Sequence, residues 1–164
     1  MRVPAHEVEL TFDRLRRRHL DDVWEIDRQR PESSWTRRTF ADELAGPNRH
    51  YVVACQGDQV VAYAGLLVQA GEGHITTMMV EPRLRRRGVA TDLLNELVAA
   101  SRFAKCEAMT LEVRVDNEPA IALYRGFAFE VEGRRPAYYP DGSDAAIMWR
   151  RDMDAATPER SSNG

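Results

Sequence analysis

The sequence predicts a mixed α/β fold, built on one sheet of about seven strands, mostly antiparallel with a central parallel pair, and about four helices. Three observations lead to this fold class. A strand, an amphipathic helix and a second strand follow one another from His74 to Val115, which is typical of a parallel pair joined by a right-handed crossover. A hairpin pattern precedes this unit, and another hairpin pattern follows it.

The elements before the crossover are two helix patterns and three strand patterns. Val8, Leu10 and Phe12 alternate with polar neighbours, which predicts a first strand with one buried face. Helical spacing begins at His19 and stops at Pro31, and Thr36 is suited to cap a second, short helix. The strands of the first hairpin are predicted at 51–55 and 59–69.

The crossover unit combines two strands and a helix. An apolar strand covers 74–80, helical spacing covers 88–104, and a second strand covers 109–115. Asp116 or Asn117 can cap the helix that follows, which carries a proline in its first turn. Strand patterns return after this helix, from residue 129 onward.

The chain closes with a hairpin and a polar tail. The hairpin strands are predicted at 129–135 and 145–153. Residues 155–164 are rich in serine, proline and charge, which is typical of a disordered tail. We therefore expect one domain over residues 1–154, followed by that tail.

Composition excludes several classes of protein. The 164 residues are 43% apolar and 30% charged, as in ordinary globular domains. With 23 basic and 26 acidic residues the net charge is −3, which argues against a general nucleic-acid or membrane-surface binder. Neither a long apolar run nor a signal-peptide pattern is present, so we expect a cytoplasmic protein. The two cysteines and four histidines lack metal-site spacing, so we expect no metal.

The turn between the central strand and its helix is suited to bind an anion. It contains three consecutive arginines and then Gly88. A helix that starts after such a turn directs backbone N–H groups and the positive end of its dipole at a ligand. Glycine lets the ligand approach the backbone closely. By the residues alone, a solvated basic loop is the alternative.

This region resembles a known family. The turn from Arg85 to Ala90 resembles the Q/R-x-x-G-x-G/A turn with which GNAT-family N-acetyltransferases hold the pyrophosphate of acetyl-CoA. The segments 76–82, 111–114 and 120–124 resemble other parts of that family, in particular its RimI-like branch of ribosomal-protein-alanine N-acetyltransferases. The resemblance covers about residues 8 to 153 and implies the GNAT fold.

The resemblance implies acetyl-CoA as co-substrate and assigns a set of residues to it. These are the strand residues Met78, Met79 and Val80, the turn residues Arg85, Arg86, Arg87, Gly88, Val89, Ala90 and Thr91, and Asn117. The strand residues would bind the ligand through their backbone, by adding it to a strand edge. By pattern alone the strand side chains could be core, and Asn117 could be a helix cap.

The resemblance also implies two catalytic residues. Glu112 corresponds to the glutamate that serves as the base in RimI-like enzymes, and Tyr124 to the tyrosine that GNAT enzymes place beside the thioester sulfur. A modest base suffices for an α-amine, whose pKa is about 8, against about 10.4 for lysine. Without the resemblance, Glu112 could simply face solvent and Tyr124 could be a core residue.

Substrate choice is less legible in the sequence. The resemblance places Trp35, Tyr138 and Tyr139 beside the acceptor, although local packing is an equal alternative. The expected partner is a protein or peptide N-terminus, such as that of a ribosomal protein. The alternatives are a GNAT enzyme acting on lysine or a small amine, and a non-catalytic module that binds acyl-CoA or RNA.

Overall fold

The computed structural model describes residues 9–30 and 35–159. In these two ranges it contains the elements that the sequence predicts. The strands are β1 (Thr11–Arg14), β2 (Arg49–Gln56), β3 (Gln59–Gln69), β4 (Glu72–Val80), β5 (Ala108–Arg114), β6 (Glu130–Arg135) and β7 (Ala145–Arg150). The helices are α1 (Leu20–Asp27), α2 (Arg37–Ala45), α3 (Val89–Phe103) and α4 (Glu118–Gly126).

The strands form one seven-stranded sheet in the order β1-β2-β3-β4-β5-β7-β6. The β4–β5 pair is parallel, and every other neighbouring pair in the described sheet is antiparallel. The helix α3 is the crossover between β4 and β5, as expected for a parallel pair. The predicted mixed sheet with a central parallel pair and four helices is therefore confirmed for the described residues.

The two parallel strands separate soon after they begin. Only Glu72, Gly73 and His74 of β4 pair with β5, opposite residues 108–110. Beyond these pairs β4 continues to Val80 and β5 to Arg114, without pairing to each other. The edge of β4 that faces β5 is thus left without a strand partner at the carboxyl end of the pair.

Two apolar clusters lie on opposite faces of the sheet. The larger one joins α3 and α4 to the sheet and includes Leu93, Leu97, Met109 and Phe127. The smaller one joins α1 and α2 to β2 and β3 and includes Phe40, which is 2% exposed. Because α1 and α2 cover only the first strands, this second face of β5, β7 and β6 carries no helix of the described chain.

Local signals explain where the helices begin. The Thr36 hydroxyl accepts a hydrogen bond from the Thr39 amide (3.1 Å), so Thr36 caps α2 as predicted. The Asn117 side chain accepts one from the Ala120 amide (3.2 Å) and caps α4. None of the helices in the described ranges is long and apolar enough to cross a membrane.

Several element ends differ from the predictions by one to three residues; β2 and β4, for example, each begin two residues earlier, at Arg49 and Glu72. The first strand runs over Thr11–Arg14, and the predicted start at Val8 lies outside the described residues. The helix α1 ends at Asp27, because the amides of Gln29 and Arg30 bond to carbonyls three residues back and tighten the chain into a turn.

The last strand ends at Arg150 rather than at Met153. The Arg150 guanidinium is buried and donates to the carbonyls of Phe127 (2.6 Å), Met153 (3.2 Å) and Ala155 (2.7 Å). The chain after β7 therefore leaves the sheet and folds back over this side chain. Asn95 of α3 also donates to the Pro158 carbonyl at 3.0 Å.

Candidate active site

Glu112 lies on β5, close to the point where β4 and β5 separate. Its neighbours Leu111 and Val113 point into the larger apolar cluster, so alternation directs Glu112 to the face that α1 and α2 leave open. The carboxylate is nevertheless only 15% exposed. The Glu112 side chain is thus largely shielded from solvent, although no helix of the described chain covers this face.

His74 of β4 contacts Glu112 directly. Its Nε2 donates a hydrogen bond of 2.7 Å to the Glu112 carboxylate, which joins the two strands just where their backbone pairing ends. Arg135 of β6 lies on the other side, with its guanidinium 3.9 Å from the second carboxylate oxygen. No sequence pattern indicates the contact between His74 and Glu112, since the two residues lie 38 positions apart.

These partners decide the protonation state of Glu112. The hydrogen bond from His74 lowers the pKa of the carboxyl below its ordinary value, and the charges of His74 and Arg135 add to this effect. Partial burial acts in the opposite direction but is outweighed. Glu112 is therefore ionised at neutral pH and can accept a proton or stabilise a positive charge.

Tyr124 lies in α4 and is 9% exposed. Its ring contacts Phe129 edge to face, with 5.8 Å between the centroids. Burial raises the pKa of the phenol to about 12, and the nearby Tyr139 contributes to the increase. The phenol is thus protonated at neutral pH and is a possible proton donor.

The arginine turn precedes α3 as the sequence predicts. Arg86 (φ 65°) and Gly88 (φ 77°) both have left-handed backbones. Arg85 before them is extended (φ −66°, ψ 152°), so the donors that this turn offers an anion are the free N–H groups in the first turn of α3. Arg85 donates to the Val80 carbonyl at 3.3 Å and so ties the turn to the end of β4.

The strand residues assigned to acetyl-CoA lie along the edge of β4 that faces the gap. On one side the backbone of 78–80 pairs with β3, and its other edge faces the gap beside β5. Met78 and Val80 contact the larger apolar cluster and Met79 belongs to the smaller one, so the side chains do pack in the interior. The backbone edge remains available for a ligand that adds as a strand.

The aromatic residues assigned to the acceptor lie in two places. Trp35 packs edge to face on Phe40, with 4.8 Å between the centroids, and lines a surface cleft of about 470 Å³ along α2. Tyr138 and Tyr139 contact each other at 5.0 Å in the loop between β6 and β7. The Arg135 guanidinium stacks on the Tyr138 ring and also lies 3.9 Å from the Glu112 carboxylate. Arg135 therefore connects this loop to Glu112.

Comparison with known proteins identifies the fold family. The family model described as the acetyltransferase (GNAT) family matches residues 20–129. The crystal structure of a ribosomal-protein-alanine N-acetyltransferase from Escherichia coli superposes with a TM-score of 0.81 at 28% identity, covering 90% of this chain and 97% of that one.

Sequence relatives point to the same branch. The N-alpha-acetyltransferase RimI of Mycobacterium tuberculosis is 40% identical over 126 residues, which cover 74% of this chain and 77% of that protein. A Bacillus subtilis protein, provisionally named as an alanine N-acetyltransferase of ribosomal protein bS18, is 33% identical over 137 residues, 82% of this chain and 91% of that protein. The chain therefore belongs to the GNAT family of acetyltransferases, in its RimI-like branch.

Proposed function

We propose that this protein transfers the acetyl group of acetyl-CoA to the α-amino group at the N-terminus of another protein. We expect the acceptor to be a ribosomal protein with an N-terminal alanine, and we expect the reaction to take place in the cytoplasm. The proposal is supported by the RimI-like relatives and by one observation in the structure. That observation is the ionised, shielded carboxylate of Glu112 at the end of the gap between β4 and β5.

The gap and the arginine turn fit acetyl-CoA. The unpaired edge of β4 over Met78 to Val80 would bind the pantetheine amides, and the left-handed turn at Gly88 would hold the pyrophosphate. Arg85, Arg86 and Arg87 would add positive charge around the phosphates. Bound there, acetyl-CoA supplies an acetyl thioester as the group to be transferred.

Glu112 would act as the base. The attacking amine becomes positively charged as its nitrogen bonds to the acetyl carbon, and Glu112 would accept the surplus proton, directly or through a water. Because the pKa of Glu112 is low, the carboxylate is ready in its charged form but is a weak base. A weak base is adequate for an α-amine, which is partly neutral at physiological pH.

Tyr124 would act as the acid. Protonation of the departing sulfur needs a donor that is still protonated when the carbon–sulfur bond breaks, and the raised pKa of the buried phenol satisfies that condition. With a pKa of about 12 the phenol is a weaker acid than a free thiol near 8.5, so complete proton transfer is uphill by about three to four pKa units. We therefore expect the proton to move together with cleavage of the carbon–sulfur bond.

The test is a choice between two acceptors. Two peptides of equal length are incubated with the protein and acetyl-CoA, one with a free N-terminal alanine and one blocked at its N-terminus but containing lysine. We expect intact-mass analysis to show an acetyl group on the first peptide alone. Transfer to lysine alone, or to neither peptide while coenzyme A still binds, would contradict the proposed acceptor class.

A further inference from the structure

The loop between β6 and β7, residues 136–144, has a tip and a base that are held by different contacts. At the tip, Gly142 donates its amide to the Tyr139 carbonyl (2.9 Å) and Tyr139 donates its own to Ser143 (3.1 Å). At the base, Asp144 accepts bonds from the Ala137 amide (2.8 Å) and from Arg134 (2.6 Å). The tip is the part that carries Tyr138 and Tyr139.

A side chain from a different element grips the tip. Arg114, the last residue of β5, donates to the Asp141 carboxylate (2.5 Å) and to the Ser143 hydroxyl (2.7 Å) through the same nitrogen. Its guanidinium also lies 5.0 Å from the centroid of the Tyr139 ring. One arginine thus contacts three residues of the tip at once.

The chemistry of these contacts requires arginine. The planar guanidinium can donate in its plane to Asp141 and Ser143 while its face stacks on the Tyr139 ring. Its Nε is 3.4 Å from Asp116 of the segment before α4, so the same group also joins β5 to the start of that helix. A lysine ammonium is a point charge and cannot make this set of contacts together.

The contacts of Arg114 with the tip affect the candidate active site through Tyr139. Tyr139 lies close enough to Tyr124 to affect its ionisation, and Arg114 is two residues after Glu112 on the same strand. Glu112 and Arg114 point to the same face of β5, because side chains alternate along a strand. The tip is therefore tied to the strand that carries Glu112, and it places Tyr139 near Tyr124.

We propose that Arg114 is a positioning residue that locks the tip of the β6–β7 loop over the acceptor side of the site. The acceptor half of this inference rests on the proposed function. A locked tip presents Tyr138 and Tyr139 as a preformed wall, so the acceptor peptide does not have to order the loop when it binds. Arg114 itself need not touch the acceptor.

The first test measures the loop without any substrate. Hydrogen exchange followed by mass spectrometry compares the wild-type protein with Arg114→Gln. We expect the tip amides, those of Tyr139, Gly142 and Ser143, to exchange about fivefold faster or more in the variant, since they lose their outside support. Exchange of α3 should not change.

A matched control removes a similar ion pair from the same hairpin. Arg151 makes three hydrogen bonds of 2.7 to 3.0 Å with Glu132 and stacks on Trp149, just after the end of β7 that lies away from the loop. Arg151→Gln should leave exchange of the tip unchanged. Asp141→Asn, at an exposed position, should reproduce the effect of Arg114→Gln, and the double variant should add little.

The second test measures acceptor kinetics with the free-alanine peptide. We expect Arg114→Gln to raise KM for the peptide about tenfold, with kcat within about threefold of wild type and the Kd for acetyl-CoA unchanged. Arg114→Lys should recover only part of the loss, whereas a purely electrostatic role would be fully rescued.

The outcomes separate the two halves of the inference. Unchanged exchange at the tip in Arg114→Gln would overturn the locking role. Faster exchange with an unaltered peptide KM would overturn the acceptor role. If the wild-type protein acetylated no peptide, the proposed function and the acceptor role would fall together, while the exchange comparison would still decide the locking role.

Discussion

At the scale of single residues, Glu112 is held between two donors that make it an anion rather than a strong base. His74 lies 2.7 Å from one carboxylate oxygen and Arg135 lies 3.9 Å from the other. A carboxylate in this setting stabilises the positive charge that develops on an attacking amine, even where full proton transfer is unfavourable. Its geometry therefore matters as much as its basicity.

The first prediction concerns the charge of Glu112. Glu112→Gln keeps the shape of the side chain but removes the proton acceptor, so we expect kcat to fall by roughly 10² to 10⁴. Acetyl-CoA affinity, measured by calorimetry, should be retained. Glu132→Gln, which alters an exposed carboxylate on β6, is the control and should keep normal turnover. Near-normal kcat in Glu112→Gln would show that the base lies elsewhere.

The second prediction concerns the hydrogen bond from His74. The hydrogen bond from His74 lowers the pKa of Glu112, whereas partial burial raises it. In His74→Ala the hydrogen bond is lost and the effect of burial stays, so the pKa of Glu112 should rise. The carboxyl pKa can be followed by carbon NMR during a pH titration. Arg135→Gln should cause a smaller rise, since the arginine is farther away.

The exposed His50 provides the control for this titration. His50→Ala, on β2, should leave the Glu112 titration unchanged. An equal pKa in the wild type and in His74→Ala would mean that the imidazole does not set the charge state of the site.

At the scale of elements, an irregularity in β4 decides which side chains face the site. The register against β3 shifts between Gly65 and Leu66, which leaves Thr76 as an extra residue in β4. Ile75 therefore packs in the larger cluster while Met79 packs in the smaller one on the opposite face. Simple alternation would have placed both on one face.

Gly65 makes room for this bulge. A methyl group at Gly65 would lie 2.5 Å from the Tyr51 ring and 3.0 Å from the Thr76 hydroxyl, both too close for a normal contact. The Tyr51 hydroxyl in turn bonds to Glu43 of α2 at 3.0 Å. The bulge, the tyrosine and the second helix are thus packed as one unit beside the central strand.

At the scale of the whole molecule, the segment after β7 connects α3 with the end of α4. Arg150 binds the carbonyls of Phe127, Met153 and Ala155, and Arg102 of α3 binds the last two as well, at 2.9 Å each. Two arginines therefore share the same neutral acceptors. Burial and the charge of Arg102 lower the pKa of Arg150 from its ordinary value.

The third prediction tests this arrangement. Arg150→Met should lower the free energy of unfolding by about 1 to 3 kcal/mol, because the buried Phe127 carbonyl loses its charged donor, while the Met153 and Ala155 carbonyls keep Arg102. Urea denaturation provides the measurement. Arg151→Met, at the neighbouring exposed position, should cost less than about 1 kcal/mol. Equal stability of the two variants would mean that the Arg150 contacts contribute nothing net.

The sequence alone was sufficient for the order and type of the elements. Period-two and helical patterns predicted the strands and helices, the cap at Thr36 and the parallel crossover, because these depend on neighbours a few residues apart. The family and its RimI-like branch also followed from local motifs. The roles of Glu112 and Tyr124 remain predictions that came from the same motifs.

Only the tertiary structure decided which distant side chains meet. The contact between His74 and Glu112, the grip of Arg114 on the β6–β7 loop and the clamp of Arg150 each join separate elements. Such contacts depend on strand register, on the bulge at Thr76 and on where β4 and β5 separate. These features are set by packing across the whole sheet, so they cannot be predicted from the local sequence pattern around a residue.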